Sequence, residues 1–209
     1  MLVLPTRRLA LLTTVLVLAA AVSLLPATFV PDAAAAVGNC TPGAAWPANR
    51  KDMATRVVEL VNQHRAARGL RSLRVSATLT ASAVWKARHM AHYRYLAHND
   101  PAPPAGRTVS QRLATCGFAG GGWGENIANG YRTAEAVVSG WLSSPGHRAN
   151  IERASYGVIG VGAAVSSNGA VYWAQSFGKG GGRKARPVRA GHAVSLSGRP
   201  ARIAMIAGR

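Results

Sequence analysis

Three short runs carry the side chains able to do chemistry: His98-Asn99-Asp100-Pro101, Gly124-Glu125-Asn126-Ile127, and Ser144-Pro145-Gly146-His147-Arg148-Ala149-Asn150-Ile151. Together they offer two imidazoles and one carboxylate beside turn-forming residues. His98, His147 and Glu125 form the donor set of a three-ligand zinc site with a fourth position open to water. A metal held there lowers the pKa of bound water towards about 7, which supplies a nucleophile at neutral pH. Alternatively, the two His hold the zinc or other divalent metal and Glu125, the candidate catalytic group, accepts a proton from the water. A third arrangement needs no metal: the trio is a hydrogen-bonded polar cluster that holds loops to a sheet.

Other polar residues invite weaker readings. His89 and His92 stand three apart on a helical run and could share a metal, but no third ligand accompanies them, so they read as surface histidines. His64 reads as a structural helix position. Ser144 precedes Pro-Gly-His; a nucleophilic serine needs a base within hydrogen-bond reach, and a serine three residues from His147 in a turn reads instead as a cap. Asn126 and Asn150 are expected to fix loop geometry. Trp123, Trp141 and Trp173 are expected in the core, Trp123 partly exposed beside Gly120-Gly121-Gly122.

The elements that must position these groups are legible from periodicity. Apolar residues at Met53, Val57, Leu60, Val61 and Ala67 predict a helix over 53–67 that Gly69 ends. Leu79, Ala83, Ala87, Met90 and Ala91 predict a second over 78–96, capped by Ser76. Residues 109–116 form a short third, closed by Gly117. A fourth spans 133–142, with Thr133 as cap and Glu135 where the helix dipole favours negative charge; Pro145-Gly146 breaks it. Residues 156–165 and 170–177 predict two strands joined by the turn Ser166-Ser167-Asn168-Gly169, where Asn-Gly is a strong hairpin cue. Residues 123–129 predict a further extended segment. Helices first and a hairpin last give an α+β class, helices packed over an antiparallel sheet.

The two ends differ from this body. Arg7 and Arg8 precede an almost unbroken apolar run from Leu9 to Leu25, and Ala33 to Ala36 supply small residues for cleavage, so residues 1–36 read as a secretory signal peptide. The run is also close to membrane-spanning length, and an uncleaved anchor is the other reading. Export makes Cys40 and Cys116, the two cysteines of the chain, candidates for one disulfide across a long loop. From Gly178 to Arg209 there are eight Lys or Arg and no Asp or Glu. Residues 179–209 therefore read as a disordered basic tail that carries much of the +18 formal charge. Such a tail is either a solvated extension or a grip on anionic cell-wall polymer or lipid headgroups. It has no aromatic residue to stack on bases, and nucleic acid is not an expected partner.

Taken in order, Val61-Asn62-Gln63-His64-Arg65, Leu96-Ala97-His98, Gly124-Glu125-Asn126, Trp141, Ser-Pro-Gly-His-Arg-Ala-Asn-Ile, Ile159-Gly160-Val161-Gly162 and Trp173-Ala174-Gln175-Ser176-Phe177-Gly178 resemble the CAP superfamily. These are the cysteine-rich secretory, antigen 5 and pathogenesis-related proteins, also called SCP domains, here in a bacterial secreted form. The resemblance covers about 53–178, with 37–52 as an N-terminal arm. It implies an α–β–α sandwich with a central antiparallel sheet between helical layers. It also implies a cleft where His98 and His147 are the family's two His and Glu125 its first acid. The second acid, often three residues after the tryptophan of the fourth helix, is replaced by Ser144. The resemblance thus implies a secreted, monomeric binding module for a small molecule, lipid or cell-wall glycan. The competing expectations are a metal-dependent hydrolase of peptide or cell-wall material and a wall-associated adhesion protein.

Overall fold

The structure, a computed structural model, describes residues 40–101, 103, 104, 106–180 and 201–208. The expected leader, residues 1–36, and His192 lie outside the described residues. Helix α1 is Lys51–Ala67, with Ala54, Val57 and Val61 buried along one stripe. A two-residue strand β1, Arg74–Val75, leads to α2, Ala77–Tyr93, whose cap is Ser76: its side chain accepts from the Leu79 N–H. Helix α3 is Val109–Thr115, opened by a capping box between Thr108 and Gln111. Strand β2, Trp123–Asn129, precedes α4, Ala134–Ser143, capped as expected by Thr133. Helix α5, Pro145–Glu152, is followed by β3, Val158–Val165, β4, Val171–Gly178, and β5, Arg202–Gly208.

Two of these elements correct the sequence reading. Pro145 does not simply break α4: it is the first residue of α5, with Ser144 between the helices. Proline suits that position, because its missing N–H would have had no partner in the first turn. The second correction is β5. Residues 202–208 were expected in a disordered basic tail, yet they form a strand beside β2 over seven paired positions. The run Ile203 to Ala207 is uncharged and apolar, so this segment can pair where the arginine-rich stretch before it offers no such pattern. Residues 181–200 lie outside the described residues.

The sheet order is β1-β3-β4-β2-β5. All neighbours are antiparallel except β1 and β3, which are parallel, so the expected antiparallel sheet is in fact mixed. Helices cover both faces. On one, Val57 and Val61 of α1, Val137 and Trp141 of α4, and Ile151 of α5 pack on Ile159, Val161, Trp173 and Phe177. On the other, Ala83, Ala87 and Met90 of α2 pack on Ile127, Ala164, Tyr172 and Ala174, and Val109 and Leu113 of α3 join Leu79 and Val158. This is the α–β–α sandwich.

The glycines of β3 set how closely α2 approaches. A Cβ on Gly160 would lie 2.1 Å from the Leu79 carbonyl carbon, and one on Gly162 would lie 2.4 Å from the Ala83 oxygen. Backbone of α2 occupies the space a side chain would need, so neither position can relax by moving a rotamer. Beyond the helices, Cys40 is bonded to Cys116, as expected, closing a separation of 76 residues. Trp46 of the same arm stands edge-on to Trp85.

His89 is not the surface residue expected. It is fully buried, stacked on Trp85 with ring centroids 4.5 Å apart and edge-on to Trp46; His92 is exposed. The arm's Trp46 supplies the cover that α2 alone does not reveal. Burial holds the His89 pKa down at about 4.

Two outcomes are expected. Replacing Gly162 with valine will cost about 2 kcal/mol or more through overpacking, read as a fall of several degrees in the melting temperature. Because His89 titrates near 4 when folded and near 6.5 when unfolded, the unfolded chain takes up its proton first on acidification. Stability rises with pH across that window and falls by roughly 3 kcal/mol from pH 7 to below pH 4 on this account alone. Chemical denaturation at stepped pH will show that loss in the natural protein and its absence in His89→Phe.

Candidate functional site

Glu125 lies in the middle of β2, where alternation turns Asn126 and Ala128 towards α1, α4 and α5, and Glu125 and Ile127 towards α2 and α3. It is fully buried. Its Oε1 accepts from His98 Nδ1 at 2.9 Å, and its Oε2 accepts from Arg112 Nη2. His98 sits in the connection between α2 and α3. The Arg112 guanidinium also donates to the His98 carbonyl at 3.1 Å and to Asp100 Oδ1. Asp100 in turn takes Lys86 Nζ at 2.9 Å and Arg107 Nε at 3.3 Å.

Lys86, Asp100, Arg112 and Glu125 therefore form one buried chain of charges with His98 at its end. Burial alone would raise the Glu125 pKa, but Arg112 and the His98 hydrogen bond outweigh it and hold the carboxyl below the usual range. Burial pulls Lys86 down to about 8, with the Arg112 charge acting in the same direction. For Arg112 the two carboxylates more than reverse the effect of burial, and its pKa is raised.

His147 comes from the first turn of α5 and is almost fully buried. Two asparagines fix that turn against β2. Asn126 Nδ2 donates to the His147 carbonyl at 3.2 Å and to Gln175 Oε1 at 3.0 Å; Asn150 Nδ2 donates to Asn126 Oδ1 at 3.0 Å. Both asparagines thus fix geometry between strand and helix, where a role in loop geometry was expected. Ser144 does not cap α5 through its side chain. Its Oγ instead lies 2.8 Å from His147 Nδ1. Burial lowers the His147 pKa, opposed by the nearby Ala204 carbonyl of β5 and aided by His98.

The two histidines are held alike. Each uses Nδ1 on a fixed oxygen, Glu125 for His98 and Ser144 for His147. Each leaves Nε2 buried with no partner in hydrogen-bond geometry among the described residues, although the Ala204 carbonyl of β5 stands close to the His147 ring. For His98 the carboxylate accepts the hydrogen bond from Nδ1–H, which puts the lone pair of a neutral ring on Nε2.

The expected three-ligand set is not assembled in this arrangement. Among the described residues no group of three or more His, Cys, Asp or Glu is placed to hold one ion. The reason is local: both Glu125 oxygens are engaged, by Arg112 and by His98 Nδ1, which also leaves Glu125 poorly placed to take a proton from water.

The remaining expectations fall elsewhere. His64 pairs with Glu152 at 2.8 Å, joining α1 to α5. Trp141 and Trp173 are fully buried and Trp123 is half-buried. Lys86 and Arg112 were not singled out from sequence, though each carries a signal: Lys86 interrupts the apolar stripe of α2, and Arg112 lies one turn after Val109 on the buried side of α3. A cavity of about 470 Å³ opens away from the trio, among Arg50, Arg56, Arg132 and Glu135.

A three-layer sandwich with two histidines beside a buried Gly-Glu-Asn strand defines the class. The chain belongs to the cysteine-rich secretory protein (CAP) family, whose model matches residues 58–177. It is 36% identical over 122 residues to the uncharacterized protein YkwD of Bacillus subtilis, a match spanning 58% of this chain and 45% of that relative. An extracellular SCP-domain protein of Bacillus anthracis has a similar structure, with TM-score 0.56, 25% identity, and 62% of this chain and 41% of that one covered. An outer surface protein of Borrelia burgdorferi shares the fold, with TM-score 0.56 and 22% identity over 64% of this chain and 98% of that one. The chain thus spans less than half the length of its Bacillus relatives.

Replacing Arg112 with methionine removes the cation paired with buried Glu125 and one of the three paired with Asp100. The expected cost is about 3–5 kcal/mol, measured by chemical denaturation, and it will exceed that of Glu125→Gln, which keeps the shape and removes a charge.

Proposed function

We propose that this chain is an exported binding module in which His98 and His147 take a divalent metal, zinc being the natural candidate, through their Nε2 atoms. The observation that carries this reading is the pair of buried, unpartnered Nε2 atoms, each on a ring already oriented through Nδ1. A buried imidazole nitrogen without a partner is costly unless something fills the position. Glu125 and Ser144 are then the groups that orient the ligands. A bound divalent ion would supply a Lewis-acidic position for an oxygen of a small-molecule, lipid or cell-wall glycan ligand.

Export is supported by the Cys40–Cys116 disulfide and by the extracellular relative of Bacillus anthracis. Hydrolysis is the less favoured reading: the carboxylate that would serve as base is committed to Arg112, and Ser144 stands where the family's second acid is expected.

Calorimetric titration of zinc into the purified protein tests the proposal. One-site binding is expected, abolished by His98→Ala and by His147→Ala, and weakened about 10- to 100-fold by Glu125→Gln. Zinc affinity that survives both histidine replacements, or no zinc binding at all, would return the trio to a structural role.

A further inference from the structure

Strand β5 differs in kind from the strands it extends. All eight residues of β4 are buried, as are the five central residues of β2, but no residue of β5 is. Met205 is 37% exposed. The family match ends at residue 177, so β5 comes from beyond the shared domain. Without it, β2 would be the outer strand, and its run Trp-Gly-Glu-Asn-Ile-Ala-Asn has neither proline nor lysine to discourage pairing.

Where β5 sits matters more than that it pairs. Its alternate side chains meet the two helical layers. Ile206 joins Val109 and Leu113, on the layer of Arg112 and His98. Met205 reaches Gly146 of α5, one residue before His147: a Cβ on that glycine would lie 2.9 Å from the Met205 methyl. The Ile206 carbonyl accepts from Asn150 Nδ2 at 3.2 Å, and the Ala204 carbonyl lies beside His147. The segment thus runs as an extended peptide along the edge between the elements that carry the two histidines.

Its tether is longer than the path requires. Strands β4 and β5 run parallel with β2 between them, so the chain must return from the Trp123 end to the Asn129 end. That path is about 25 Å, from a seven-residue strand and two strand spacings. Residues 179–201 can reach about 70 Å when extended.

We infer that the outer edge of β2 is an acceptor for an extended peptide segment with an uncharged, apolar centre, and that β5 occupies it in cis as a displaceable stand-in. Recognition follows strand addition: main-chain hydrogen bonds give affinity, and alternate side chains give selectivity. The segment must be small at the position opposite Ile127 and apolar at those opposite Asn126 and Glu125, which Ala204, Met205 and Ile206 fill here. No metal is needed for it.

The test uses a fluorescein-labelled peptide of residues 201–208, titrated in EDTA into the natural chain and into the double variant Ala204→Pro, Met205→Pro. Adjacent prolines remove a ladder N–H whichever phase of the pairing donates to β2. A cis strand on a flexible tether that spans its path acts at roughly millimolar effective concentration, so fluorescence anisotropy is expected to show at least tenfold tighter peptide binding to the variant. A scrambled peptide with the same composition is expected to bind neither. Equal binding to both proteins, or none to a variant that melts cooperatively with its disulfide formed, overturns the inference. If the variant does not fold, the natural chain is cut at a protease site placed within residues 181–200. Exchange of its C-terminal piece with excess labelled peptide supports the inference, and a body that holds the piece without exchange, or unfolds on losing it, overturns it.

Discussion

Arg112 is enclosed between Asp100 and Glu125 with no exposed surface, and the rest of the site follows from that burial. A guanidinium cannot shed its charge inside a protein, so it must find acceptors wherever the fold places it. Here those acceptors come from two parts of the chain: the connection after α2, which gives Asp100 and the carbonyl of His98, and the centre of β2. Satisfying one buried cation therefore brings together α3, the histidine-bearing connection and the sheet. Glu125 is left with one oxygen for His98, and that is what orients the ring.

The second histidine is positioned by different means. Among the described residues no charge anchors His147; a chain of amides does, from Gln175 through Asn126 to Asn150 and the first turn of α5. Amide pairs of this kind are neutral, and losing one leaves an unsatisfied group rather than an unpaired charge. The two halves of the site are thus built to different tolerances. The His98 half is electrostatic and intolerant of any change in charge balance. The His147 half depends on hydrogen-bond geometry and on the packing of α5 against the sheet.

Much of this was legible before any coordinates. Periodicity in α1 and α2 and the Asn-Gly turn between β3 and β4 pointed to helices packed over a sheet, because a helix with one buried face advertises it at fixed intervals and turn residues mark where strands reverse; the layered sandwich came from the family resemblance. The caps Ser76 and Thr133 mark helix starts by chemistry that is local to a few residues. What escaped notice is what depends on distant parts of the chain. His89 looks like a surface residue until Trp46, forty-odd residues earlier, covers it. Lys86 and Arg112 look like ordinary helix charges until Asp100 and Glu125 are folded against them. Residues 202–208 were read by the charge of their neighbours, although five consecutive apolar residues already marked a strand. Glu125 was expected at the site by type and motif, but its partners come only from the assembled layers.

Helix α3 has only seven residues, too few to persist alone in water. It is secured at its start by the Thr108–Gln111 capping box and just past its end by the bond from Cys116 to the N-terminal arm. Arg112 lies one turn before that cysteine. Thiol chemistry at a place remote from the imidazoles is thereby joined to them: oxidation fastens the helix, the helix presents the guanidinium, and the guanidinium holds Glu125 against His98. A chain made where thiols stay reduced would have every residue of the site and only one end of α3 secured, so the compartment in which it matures helps decide whether the site is organised.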